Sequence, residues 1–183
     1  MSAETKRRRF EELALPHLDA AYNLARWLTR NDHDAQDVVQ EAFLRAFKSF
    51  DGFRGERGRP WVLAIVRNVC YDWLRQQRAS DLCVAYDDEL HGDDSTGAWP
   101  APIFADPETA ASRADDRRLV NAALQKLPVE FREVVVLRDI EDLSYKEIAG
   151  IVAIPMGTVM SRLARGRKLM LAYLAGQRGS DGM

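Results

Sequence analysis

The sequence predicts an all-α protein: two small helical domains joined by a flexible acidic linker, the C-terminal one a helix-turn-helix. Three observations predict it. Apolar residues recur three and four apart on both sides of the chain's middle, the period of a helix with one buried face. From Ala79 to Ser112 there is no Lys or Arg, while eight Asp and Glu stand with Pro100, Pro102, Pro107, Gly92 and Gly97. A stretch of that composition buries too little apolar surface to offset its ordering entropy. Near the C-terminus, Ser144 and Glu147 are spaced as a capping box, and a short break then leads into a basic helix. The expected division is an N-terminal domain at 1–79, the linker at 80–112 and a helix-turn-helix domain at 113–183.

The 183 residues, 46% of them hydrophobic and 30% charged, suit two small cores. The net charge of −2 conceals a segregation. Residues 1–79 hold 14 Lys and Arg against 11 Asp and Glu, residues 80–118 hold 3 against 10, and residues 119–183 hold 9 against 7. So small a total argues against coating nucleic acid by bulk charge, and any such binding must come from local patches. No apolar stretch approaches the ~20 residues of a membrane span. The charged start, Lys6 to Arg9, has no apolar segment behind it, so it does not read as a signal peptide, and a cytoplasmic location is expected. Cys70 and Cys83 give neither a disulfide framework nor metal-ligand spacing. His17, His33 and His91 are scattered, and there is no nucleophile elbow or phosphate loop. The expectation is therefore no catalytic residue, no cofactor and no metal.

The first helix runs from Phe10 to Arg30 on Leu13, Leu18, Ala21, Tyr22, Ala25 and Leu28, kinked or restarted at Pro16. Asn31 or Asp32 caps the second, whose buried face is Val39, Phe43, Ala46, Phe47 and Phe50. Its opposite stripe is Asp37, Gln40, Glu41, Arg45 and Lys48, which taken alone reads as a solvated face. A Gly- and Pro-containing loop, Asp51 to Pro60, precedes a third helix from about Trp61 to Gln77. That helix and its end carry Trp61, Arg67, Asn68, Tyr71, Trp73, Arg75 and Arg78 beside an aliphatic core of Val62, Ile65, Val66 and Val69. Aromatic faces and cations together suit single-stranded nucleic acid, although Trp61 and Trp73 also suit a plain core.

In the second half, a helix from Arg113 to Leu127 is followed by one opening at Pro128. The capped helix Leu143 to Ala153 comes next, then the break Ile154-Pro155-Met156-Gly157, then a last helix through about Tyr173. One face of it is Val159, Leu163, Gly166, Met170 and Leu174. Another carries Thr158, Ser161, Arg162, Arg165 and Lys168, and no acidic residue lies between Pro155 and Ser180. That is the pattern of a recognition helix for the major groove.

Two runs carry a resemblance. The first is Asp34-Ala35-Gln36-Asp37-Val38-Val39-Gln40-Glu41-Ala42-Phe43 with Trp61-Val62-Leu63-Ala64-Ile65-Val66-Arg67-Asn68. The second is Leu124-Gln125-Lys126-Leu127-Pro128, Leu143-Ser144-Tyr145-Lys146-Glu147-Ile148-Ala149 and Gly157-Thr158-Val159-Met160-Ser161-Arg162-Leu163. In this order they resemble the extracytoplasmic-function (ECF) sigma factors of bacterial RNA polymerase, over about residues 10–78 and 113–174. The resemblance implies a non-catalytic factor that brings core polymerase, through its two largest subunits, to promoter DNA. It implies polymerase contact at Asp34, Asp37, Gln40 and Glu41. It implies minus-10 reading and melting at Trp61, Arg67, Asn68, Arg75 and Arg78, with the loop Phe53–Arg59 near an extruded base. Minus-35 reading falls to Thr158, Ser161, Arg162, Arg165 and Lys168. An anti-sigma partner is implied, and no small-molecule substrate. Met160 stands where the family usually has Lys or another polar residue, and Gly166 where it usually has Ala. The competing readings are a stand-alone helix-turn-helix regulator, disfavoured by the aromatic and basic third helix, and a sigma mimic, disfavoured by the retained basic recognition face.

Overall fold

The structure, a computed structural model, describes residues 2–84 and 107–180, with side chains described for 2–82 and 113–177. Among the described residues every regular element is helical. Helix α1 (Ala3–Ala14) is capped by Ser2, whose hydroxyl accepts from the Thr5 amide. A 3₁₀ turn at Leu15–His17 holds Pro16 and separates α1 from α2 (Leu18–Thr29), which ends at Arg30 in the left-handed region, φ 62°. Asn31 is the cap of α3 (Asp32–Ser49), its side chain accepting from Asp34 N. Helix α4 spans Gly58–Val84 and α5 spans Pro107–Lys126. Pro128 is the cap of α6 (Val129–Val135), which continues as a π turn at Val136–Ile140. The capping box of Ser144 and Glu147 starts α7 (Tyr145–Val152), and α8 covers Met156–Ser180. Ala153, at φ 58°, makes the tight turn between the last two.

Several boundaries differ from expectation. The third predicted helix, α4, begins before Trp61, with Pro60 in its first turn where no N–H is needed, and runs beyond Gln77, because neither Gly nor Pro follows Pro60 until well past Val84. At the other end of the expected linker, Pro107 occupies a first helical position that tolerates its missing N–H, and helix-forming Ala110 and Ala111 follow. Helix thus enters the 80–112 stretch from both sides. Trp99, Ile103 and Phe104 lie outside the described residues. Leu18, expected on the buried face, is 42% exposed at the start of α2; Leu24, with no exposed surface, takes the central place. Phe43 and Phe47 are half-buried beside fully buried Ala42 and Ala46.

The N-terminal core is built on Leu24, Leu28, Val62, Leu63 and Val66, with the ring of Phe10 edge-on to Phe43, Phe47 and Phe50. The C-terminal core is built on Val134, Leu137, Leu143, Ile148 and Leu163. These cores join in one body, because α4 packs on α7 and α2 on α6. Helical periodicity reports which face of a helix is buried, not which helix of the other half will cover it. Polar pairs line the seam: Arg132 donates from Nη1 to the Trp27 carbonyl at 2.8 Å, and Arg59 donates to the Glu141 carboxylate at 2.8 Å.

Candidate nucleic-acid interface

Helix α4 divides its polar residues between two stripes. Trp61, Asn68 and Arg75 are a heptad apart and share one face. Arg67, Tyr71 and Arg78, at the spacing four and seven, share another that turns toward the C-terminal half. The five residues expected to act together are thus split into a trio and a pair.

On the first stripe Trp61 is half-buried, its ring centroid 4.5 Å from Phe53 and 6.1 Å from Phe50. Part of it is core, and the rest is an open aromatic edge beside the loop. Asn68 is exposed. Arg75 pairs with Asp72, and Asp72 also takes Arg45 at 2.9 Å, which in turn holds Glu41 at 2.7 Å. The Arg45 hydrogen bond, followed by that of Arg75, holds the Asp72 carboxyl below its ordinary value. This charge chain ties α3 to α4. Arg75 is 70% exposed and can exchange its partner for a phosphate at little cost.

On the second stripe the partners come from across the seam. Glu133, with no exposed surface, accepts from Arg67 Nε at 2.9 Å and Nη2 at 3.3 Å. The Arg67 guanidinium also lies 4.0 Å from the centroid of the Tyr71 ring. Burial works against the charge of Arg67, and the Glu133 carboxylate more than offsets it, leaving its pKa raised. Glu133 Oε1, which accepts from Arg67 Nη2, also lies 3.7 Å from Arg162 Nη1. One buried carboxylate therefore stands between an arginine expected at the minus-10 element and one expected at the minus-35 element. The loop does the same: Arg57 meets Glu147 at 3.3 Å and Arg59 meets Glu141.

On α8, Ser161, Arg165 and Lys168 are exposed, Thr158 is half-buried, and the Ser161 hydroxyl donates to the Thr158 carbonyl at 3.1 Å. Arg167, on a different face, is bound to Asp139. Gly166 is where α8 crosses α6 closely: a Cβ there would lie 2.9 Å from Val135 Cγ2 and 3.4 Å from Phe131 Cβ. The glycine that departs from the family pattern serves that close approach.

On α3, Asp37, Gln40 and Glu41 are exposed, and Asp34 is half-buried in the capped first turn. Leu44 continues the same stripe at 52% exposure, an apolar residue among acids that the sequence reading passed over. Glu133 was passed over too. Its signal was a charge inside the apolar run Phe131 to Leu137, where a carboxylate must find a cation.

Residues 13–80 match sigma-70 region 2, and residues 117–170 match sigma-70 region 4. The ECF RNA polymerase sigma factor SigE of Mycolicibacterium smegmatis is 37% identical over 169 residues, which cover 91% of this chain and 62% of that protein. The ECF RNA polymerase sigma factor SigW of Bacillus subtilis is 32% identical over 169 residues, 90% of this chain and 88% of that protein. Among solved structures, CnrH in complex with the cytosolic domain of CnrY aligns with a TM-score of 0.62 at 26% identity, over 93% of this chain and 90% of CnrH.

Proposed function

The chain belongs to the ECF sigma factors of bacterial RNA polymerase, and we propose that it directs promoter-specific initiation through three separate surfaces. The stripe Asp37, Gln40, Glu41 and Leu44, with Asp34 at its head, is the polymerase contact. Acidic residues around one exposed leucine suit a basic surface with an apolar socket, such as a coiled coil presents. The stripe Trp61, Asn68 and Arg75 reads and melts the minus-10 element: the aromatic edge replaces lost base stacking, the amide offers hydrogen bonds to an unstacked base, and the cation takes a phosphate. Arg67 joins it once the seam opens, and Arg78, already exposed, takes a phosphate. The stripe Thr158, Ser161, Arg162, Arg165 and Lys168 enters the major groove at the minus-35 element. The corresponding units are residues 1–79 and 113–183, with 80–112 between them. The factor works without catalysis and in the cytoplasm, where polymerase and promoter are.

One observation carries this reading furthest. Arg57, Arg59 and Arg67 of the N-terminal half are each matched by a glutamate of the C-terminal half, and Arg162 lies near the same Glu133 that holds Arg67. The described form is therefore a resting form. Core polymerase separates the halves and fixes their spacing, so that two weak readers act together through effective concentration. CnrH is found with a protein partner, and family resemblance points the same way here, to an anti-sigma protein that keeps the chain from polymerase.

Transcription from a genomic fragment library by sigma-free core polymerase, with and without the protein, tests the reading. Discrete starts should appear only with the protein. Asp37→Arg with Glu41→Arg should lower polymerase binding about tenfold or more, and Arg165→Ala with Lys168→Ala should weaken promoter use with polymerase binding intact. No starts, together with tight duplex binding by the chain alone, would establish a stand-alone regulator instead.

A further inference from the structure

A cleft of about 630 Å³ opens between the two halves, away from the Glu133 seam. Its walls are the end of α2, the C-terminal part of α4 and the junction of α5 with α6. Four cations line it, Arg30, Arg78, Lys126 and Arg132, against two carboxylates, Asp81 and Glu130. Trp73 supplies a flat half-buried wall on the same cleft.

Arg132 is the deepest of these groups. It is 3% exposed, and its two terminal nitrogens donate to the Trp27 and Leu127 carbonyls at 2.8 Å each. Among the described residues its buried Nε has no hydrogen-bond partner and no carboxylate forms an ion pair with it. Burial first, then the neighbouring charge of Arg30, pushes its pKa down to about 10. The two carbonyls end helices α2 and α5, whose negative dipole ends favour a cation. That explains how Arg132 is tolerated and how it ties the halves together. It does not explain why Arg78 and Lys126, both exposed and without an ion pair among the described residues, line the same cleft as Arg30, which donates to the Gln125 carbonyl. A buried charge faced by further like charges is a costly arrangement unless an anion joins it.

We propose that this cleft is a binding site for a nucleotide, with the phosphates held by Arg78 and Lys126 over the buried charge of Arg132 and the base laid against Trp73. The excess of two positive charges matches a terminal phosphate, and the volume lies in the range of small-molecule sites. An aromatic face beside guanidinium groups is the surface that takes a base and its phosphates together. Because both halves wall the cleft, the ligand binds the closed form and lowers the population able to open. This consequence rests on the sigma reading; the binding itself does not.

Calorimetric titration of the full chain, without polymerase or DNA, tests the site. The probes are inorganic phosphate, pyrophosphate, ATP, GTP and adenosine, each at ionic strength matched with chloride. Saturable one-to-one binding of a nucleoside triphosphate is expected, tighter than pyrophosphate, with adenosine alone giving none. Arg78→Ala with Lys126→Ala should weaken it at least tenfold, with helix content unchanged by circular dichroism. Trp73→Leu should weaken the nucleotide but not pyrophosphate. No saturable binding, an unchanged affinity in the Arg78 and Lys126 double variant, or binding only of a single-stranded oligonucleotide would overturn the proposal. The regulatory consequence is read separately, with Lys126→Glu, which lies outside the three proposed surfaces: the nucleotide should reduce promoter starts for the wild type and not for Lys126→Glu, and equal reduction in both would overturn it.

Discussion

Single atoms decide several positions. Gly58 is buried at the start of α4, and a Cβ there would lie 2.5 Å from the Leu13 carbonyl oxygen and 2.7 Å from Leu13 Cγ. Backbone must move to admit it, so Gly58→Ala should cost about 2–3 kcal/mol in urea unfolding. An unchanged midpoint would show that α1 does not press on this loop. Cys70 is fully buried, and desolvation, helped by Glu133, pushes its thiol up to about 12. In a Cys83→Ser chain, Cys70 should therefore resist a thiol reagent at pH 8 until the protein is unfolded. Rapid native labelling would contradict this. Neither position announces itself in the sequence. Gly58 reads as one more loop glycine, and its neighbour Leu13 is 45 residues away.

At the scale of elements, the short-range signals were legible because their physics is local. The Ser144 box forms as its spacing predicts: the hydroxyl accepts from Glu147 N at 3.2 Å, and Glu147 Oε2 accepts from Ser144 N at 2.9 Å. That backbone hydrogen bond, with help from Ser144 and Arg57, lowers the Glu147 pKa. A lowered carboxylate contributes stability above its unfolded value and loses it as pH falls through the folded one. Ser144→Ala should cost about 1 kcal/mol at neutral pH. The stability gap between wild type and Glu147→Gln should be widest near neutrality and close in acid, and a gap independent of pH would mean that the charge of Glu147 does not matter. The stripes of α3 and α8 were legible for the same local reason. On α4 the aromatic and cationic content was legible, but its division into two faces became meaningful only once Glu133 was placed opposite one of them.

At the scale of the whole molecule, the sequence separates two helical groups by an acidic stretch, and it does not say that they close on each other. Long-range pairs carry that information. Arg67 with Glu133 spans 66 residues, Arg59 with Glu141 spans 82, and Arg57 with Glu147 spans 90. Such pairs follow no period. Arg67→Met leaves a buried carboxylate with only the more distant Arg162, so it should destabilise the closed form by about 3 kcal/mol. It should appear as independent unfolding of the two halves rather than one transition; a single, unshifted transition would contradict it.

If the proposed function holds, Arg57, Arg59 and Arg67 are kept from DNA by carboxylates of the other half until polymerase draws the halves apart. The most direct measurement is a distance between spin labels at positions 48 on α3 and 172 on α8, both exposed, in a chain lacking Cys83. One short distance is expected in the free protein, replaced by a longer one when core polymerase is added, with Glu133→Gln shifting the free protein part of the way. A distance that stays the same in a holoenzyme active on its promoter would contradict it.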